Sequence, residues 1–127
     1  MKMYINGRPA SASNGESIEV LNPATNEVID TVPSATKEDV ESAISVAVAG
    51  EKAWAAAPLH KRMAMMQNFI NLVMEEENHK RLAMMQCLEM GKPYKESYND
   101  FSGFKAHIEG FISAARNNLT GIVIPFG

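Results

Sequence analysis

From Thr36 to Asn118 the apolar residues recur at helical spacing, interrupted by prolines, glycines and one acidic run. This pattern commits most of the chain to helices and leaves strands to its first third. Thr36 can cap a first helix, with Glu38 and Asp39 in its opening turn, where free backbone N–H groups favour acids. Val40, Ile44, Ala47, Val48 and Trp54 stripe that helix, and Ala57-Pro58 ends it. Pro58 suits the first position of a second helix, because that position has no intrahelical use for an N–H. Leu59, Met63, Met66, Phe69, Ile70 and Val73 stripe the second. Glu75-Glu76-Glu77-Asn78 reads as a break or tight kink. Leu82, Ala83, Met84, Met85, Cys87 and Leu88 then stripe a third helix, which ends near Met90. Gly91 sits where a left-handed C-cap glycine belongs, and Pro93 opens a fourth helix carrying Tyr94, Tyr98, Phe101, Ile108, Phe111, Ile112 and Ala115. Gly103 and Gly110 each cost about 1 kcal/mol against alanine inside a helix, and close packing against a neighbour would explain them. Asn117-Asn118 and Gly121 stop the helix, and Ile122 to Pro125 reads as one more strand.

The first third carries turn chemistry. Asn6-Gly7 after Met3-Tyr4-Ile5 is a two-residue hairpin signal. Residues 11–16 are a polar loop with a second Asn-Gly. Ser17 to Leu21 alternates as a half-buried strand does, Asn22-Pro23-Ala24-Thr25-Asn26 reads as a turn, and Glu27 to Val32 reads as a return strand ended by Pro33. Together these segments describe a small antiparallel N-terminal meander followed by four helices and a last strand.

Composition excludes some functions. The twelve basic residues are scattered among fifteen acidic ones, with a net charge of −3; nucleic acid is not an expected partner, because a phosphate-binding face needs clustered Lys and Arg. No apolar run approaches the ~20 residues of a membrane span, and Met1-Lys2 is not followed by the apolar segment of a secretory signal. A single cysteine makes no internal disulfide and points to a reducing compartment, so a cytoplasmic location is expected.

Side chains that could do chemistry are sparse. Cys87 falls on the apolar side of the third helix, whereas a reactive thiol needs an electropositive, partly exposed setting. Gly91-Lys92 is not a phosphate loop, since a helix precedes it and Pro93 follows. His60, His79 and His107 lack metal-ligand spacing. The nine methionines read first as core filler. Glu89 is a carboxylate beside the helix corner, open to either a capping or a site role.

A series of motifs running along the chain resembles the N-terminal region of the aldehyde dehydrogenase superfamily. Tyr4-Ile5-Asn6-Gly7 resembles its Y-I-[ND]-G opening, and Ile18 to Thr25 its I-x-V-x-N-P-A-T. Glu27-Val28-Ile29 and Thr31-Val32-Pro33 follow in order. Glu38-Asp39-Val40 with Ala43 and Ala47 is similar to its first helix, Trp54 to its near-universal tryptophan, and Pro58 with Arg62 to its P-x-x-x-R. Glu89-Met90-Gly91-Lys92-Pro93 resembles its [DE]-x-G-K-P corner.

The resemblance implies an α/β family fold. In it, residues 1–120 would be the N-terminal part of the coenzyme-binding domain, and residues 121–127 would start a bridging strand used for a dimer or tetramer. It implies an NAD- or NADP-dependent oxidation of an aldehyde to a carboxylic acid through a cysteine thioester. The family's nucleophilic cysteine, its general-base glutamate, the P-W-N-F-P segment and the glycines near the cofactor phosphates match nothing here. Cys87 is none of these, so no catalytic or cofactor-binding residue carries over, and the 127 residues alone are expected to be inactive. One site does carry over: a monovalent cation, Na⁺ or K⁺, held by the backbone carbonyls of Val20 and Leu21 and the carboxylate of Glu89, an oxygen-only set that suits a hard ion. Two alternatives stay open: a non-enzymatic helical interaction module, and a coenzyme A-dependent, acylating branch of the same superfamily.

Overall fold

The computed structural model describes residues 1–119. The expected strand from Ile122 to Pro125 and the boundary at residue 121 lie outside them. The described residues form β1 (Met3–Ile5), β2 (Arg8–Ala10), β3 (Ser17–Leu21), β4 (Val28–Pro33), α1 (Lys37–Ala56), α2 (Leu59–Met74), α3 (Glu76–Met90) and α4 (Tyr94–Asn118). They divide into two compact units, Met1–Pro58 with Leu88–Gly91, and Leu59–Cys87 with the described residues from Lys92 onward.

In the first unit the strands pair as two antiparallel hairpins, each its own two-stranded sheet. In the first hairpin Ile5 pairs with Arg8, so Asn6 and Gly7 are the two turn residues. Both have positive φ, 53° and 71°, the twist that joins right-handed strands tightly. In the second, Ser17 faces Pro33 and Val20 faces Asp30, with a register irregularity between Val20 and Leu21. The polar loop between the hairpins is tied to the start of α1. Thr36 Oγ1 accepts from Asp39 N at 3.2 Å, and Asp39 Oδ2 accepts from Thr36 N at 3.0 Å, a reciprocal capping box. Asp39 Oδ2 also accepts from Ser13 N at 3.0 Å, and the Ser13 and Thr36 hydroxyls lie 3.1 Å apart. Ala12 is buried beneath this junction.

The apolar stripe of α1 is present but uncovered: none of its residues is buried, and Val40, Ile44 and Val48 are each about half exposed. Together with Met3 and Ile5, this face lines an open apolar groove of about 310 Å³.

In the second unit α2 packs on α4. Ile70 of α2, Ala83 of α3 and Ser97 of α4 are fully buried. The acidic run interrupts the helices at Glu75 alone. Glu76 and Glu77 already belong to the first turn of α3, where acids suit the free N–H groups. Two helix starts fall one residue later than the spacing predicts. Pro58 precedes α2, and Pro93 is the N-cap of α4 with ψ 135°, because the extended geometry there lets the chain turn before the helix begins. The expected close packing at Gly103 and Gly110 is not found: a Cβ built on either meets nothing within 4 Å among the described residues.

The capping box predicts two effects. Thr36→Ala should lower the stability of the first unit by about 1 kcal/mol in urea unfolding, the usual cost of a lost N-cap. The N–H groups of Ser13 and Thr36 hold the Asp39 carboxyl below the usual carboxylate range. Its folded pKa is depressed, so its contribution is present above the unfolded pKa and is lost as pH falls through the folded one. Asp39→Asn should flatten the acid limb of the stability profile; an unchanged limb would refute the assignment.

Candidate functional site at the helix corner

The N-P-A-T turn is built by Asn22. Its Oδ1 accepts from Ala24 N at 2.9 Å, and its carbonyl accepts from Asn26 N at 2.7 Å. Asn22 N donates to Glu27 O at 2.9 Å, closing the turn at its base. Asn26 takes the left-handed conformation at φ 60°, which asparagine tolerates better than most residues. Pro23 is thereby fixed at the outer end of β3.

The facing piece is the corner after α3. Gly91 has φ 66°, and a Cβ placed there would lie 2.9 Å from Pro23 Cγ. Glycine is required twice over, by the backbone conformation and by the proline ring seated against it. Beyond the corner, the Pro93 carbonyl accepts from Glu96 N at 3.0 Å and from Ser97 N at 3.1 Å, starting α4. Lys92 pairs with Asp100 one turn into α4, and Gln86 Nε2 donates to the same carboxylate oxygen at 2.9 Å. Lys92 first, then Gln86, hold the Asp100 carboxyl below its usual range.

The three expected cation ligands fall in the same unit as this contact. Val20 is half-buried near the end of β3 and Leu21 is its exposed last residue, at the register irregularity. Glu89 is exposed in the last turn of α3, two residues before Gly91, and its carboxylate makes no hydrogen bond or ion pair among the described residues. No cluster of three or more His, Cys, Asp or Glu side chains able to hold a metal occurs among the described residues.

The remaining candidates are structural. His79 is 3% exposed; its Nε2 donates to the Tyr98 carbonyl at 2.8 Å, and its ring stacks on Tyr98 at 3.8 Å and meets Phe101 edge-on at 5.9 Å. Tyr98 and Phe101 are therefore occupied in packing. His60 and His107 are exposed, with His107 Nδ1 donating to Gly103 O at 2.8 Å. Cys87 is half-buried, one turn from buried Ala83. Sequence spacing missed the Lys92–Asp100–Gln86 cluster, although the i, i+8 placement of Lys92 and Asp100 across a proline could have suggested it.

Two hairpins, an N-P-A-T turn, a G-K-P corner beside it and four helices define a segment of an aldehyde dehydrogenase-like fold. The chain belongs to the aldehyde dehydrogenase family, whose pattern it matches over residues 10–126. It is 40% identical over 100 residues to malonate-semialdehyde dehydrogenase 1 of Geobacillus kaustophilus, covering 79% of this chain and 20% of that protein. It is 34% identical over 121 residues to the NADP(+) succinate-semialdehyde dehydrogenase of Escherichia coli, covering 95% of this chain and 24% of that one. Betaine aldehyde dehydrogenase of Staphylococcus aureus, solved with NAD⁺, superposes with a TM-score of 0.84 at 28% identity, over 92% of this chain and 24% of its own. The chain thus spans a fifth to a quarter of the length of the curated relatives it matches.

Gly91→Ala should destabilise the first unit by about 1 kcal/mol or more from the left-handed backbone alone. Pro23→Ala in that background should recover part of the loss, giving a non-zero coupling in a double-mutant cycle. Strict additivity would mean that the two turns do not touch in solution.

Proposed function

We propose that these residues are the opening part of the coenzyme-binding domain, residues 1–120, of a cytoplasmic NAD(P)-dependent aldehyde dehydrogenase. On this reading residues 121–127 begin the strand that joins subunits into a dimer or tetramer. The whole enzyme oxidises an aldehyde to a carboxylic acid through a cysteine thioester, with the cofactor accepting hydride. The observation that carries the reading is the Gly91 corner seated on Pro23, which puts the two most distinctive family motifs in contact. No residue of the 127 supplies the nucleophile, the base or the cofactor cradle. Their role is to scaffold the domain. No helix among the described residues is long and apolar enough to cross a membrane.

The reading includes a Na⁺ or K⁺ ion on the carbonyls of Val20 and Leu21 and the carboxylate of Glu89. Two features support it. The ladder is irregular beside Val20 and Leu21: Val20 faces Asp30 and Leu21 faces Val28, so the extra residue is Ile29, on β4. Glu89 has no protein cation of its own among the described residues. Such an ion would tie the end of β3 to the last turn of α3 and would take no part in the chemical step.

Intact mass of the protein made from its gene comes first, followed by an NAD(P)H absorbance assay. A product several-fold larger than 13.9 kDa should reduce NAD or NADP when given an aldehyde. Relatives named for malonate and succinate semialdehyde make short carboxylated aldehydes the first to try. The 127-residue chain alone should show no turnover. A larger product inert towards aldehydes with both cofactors would overturn the reading, and dependence on coenzyme A would move it to the acylating branch.

The cation has its own test. Replacing K⁺ and Na⁺ by choline should lower the unfolding midpoint of the parent but not that of Glu89→Gln. Equal insensitivity in both would remove the ion from the account.

A further inference from the structure

The chain holds two Asn-Gly pairs, Asn6-Gly7 and Asn14-Gly15, both exposed and both in turns. Glycine has no Cβ to shield its backbone nitrogen, so this pair is open to a reaction that needs no enzyme. The glycine nitrogen attacks the side-chain carbonyl carbon of the asparagine. A C–N bond forms, the bond to the side-chain nitrogen breaks, and ammonia leaves with the proton given up by the glycine amide. Water then opens the resulting succinimide at one carbonyl to give aspartate, or at the other to give isoaspartate, whose backbone runs through the former side chain. No oxidation occurs, and water is the only co-reactant.

The structure treats the two pairs differently. At Asn14 every reacting group is engaged. Gly15 N donates to Ala12 O at 3.0 Å, Asn14 Oδ1 accepts from Glu16 N at 2.9 Å, and Asn14 Nδ2 donates to Glu16 Oε2 at 3.0 Å. The loop around it is fastened to the α1 capping box through Ser13 and to Ser34, whose N–H donates to Glu16 O at 2.9 Å. At Asn6 the side chain makes no hydrogen bond among the described residues, and the ladder passes from Ile5 to Arg8 over Gly7. The β1–β2 hairpin has three residues on each side, and Tyr4 on it is 74% exposed. A two-stranded ribbon this short opens locally at small cost, and each opening frees Asn6 to bring its side chain to Gly7 N.

We propose that Asn6 is a site of spontaneous deamidation and isoaspartate formation in the folded protein, and that the Glu16 clamp protects Asn14. An isoaspartate at position 6 lengthens the backbone between Ile5 and Arg8. That lengthening breaks their register and loosens Met3 and Ile5 from the groove they share with α1. The hairpin therefore carries a slow, irreversible chemical change that the neighbouring loop is built to resist.

The test is peptide mapping with fragmentation after incubating the full chain, folded, at mildly alkaline pH. Residue 6 should gain the mass of an NH2-to-OH exchange several-fold faster than residue 14, with isoaspartate the main product. In denaturant the two rates should converge. Glu16→Ala should raise the rate at Asn14 towards that at Asn6 and leave Asn6 unchanged. The proposal fails if Asn14 reacts as fast as Asn6 in the folded parent, or if Asn6 stays intact while the denatured chain reacts. The comparison of folded with denatured parent decides the matter even where Glu16→Ala does not fold.

Discussion

Pro23 and Gly91 are separated by most of the chain and meet at a distance that admits no side chain. Each partner is prepared locally before they meet. Asn22 folds the turn with its own side chain and so sets the direction of Pro23. The left-handed conformation of Gly91 ends α3 and turns the chain towards Pro93. A contact between two such turns loses little further conformational entropy on forming, because both backbones are already restricted. It therefore fixes where β3 ends relative to where α3 ends.

The helices show a different economy of stability. Burying a Val, Leu or Ile side chain fully contributes about 1.5–3 kcal/mol, and α1 realises only part of that at Val40, Ile44 and Val48. Its start is nevertheless fastened by Thr36, Asp39 and Ser13. Helix α1 is thus held firmly at one end while its apolar face stays open. The groove between α2 and α4, lined by Met63, Met66, Phe111 and Ile112 among others, has the same character.

Most of the element order could be read from local rules. The capping signal at Thr36, the Asn6-Gly7 turn and the glycine after Met90 are one-residue decisions, each with a single cheap solution. The late starts at Leu59 and Tyr94 were not legible, because proline fits either the N-cap or the first helical position. Gly103 and Gly110 misled for another reason. A helical glycine signals close approach only when something approaches, and nothing among the described residues does. At the site, the motifs named the residues of the corner but not its contact with Pro23, which depends on tertiary placement. His79 shares the face of Ala83 at i, i+4 spacing, but an apolar stripe leaves a histidine out, and its place in the core comes from stacking on Tyr98 and donating to its carbonyl.

Arg62 Nε and Ser97 Oγ are both buried without a hydrogen-bond partner among the described residues, although native proteins leave few such groups unpaired. Ser97 is small, and its hydroxyl can turn towards a carbonyl of the preceding helical turn at little cost. Arg62 is different. Its guanidinium is always charged, offers several fixed donors, and lines the apolar groove between α2 and α4. Of its donors Nε is the one buried without a partner among the described residues, and the residue as a whole is half-buried, so its stem covers apolar surface of the groove as long cationic side chains do.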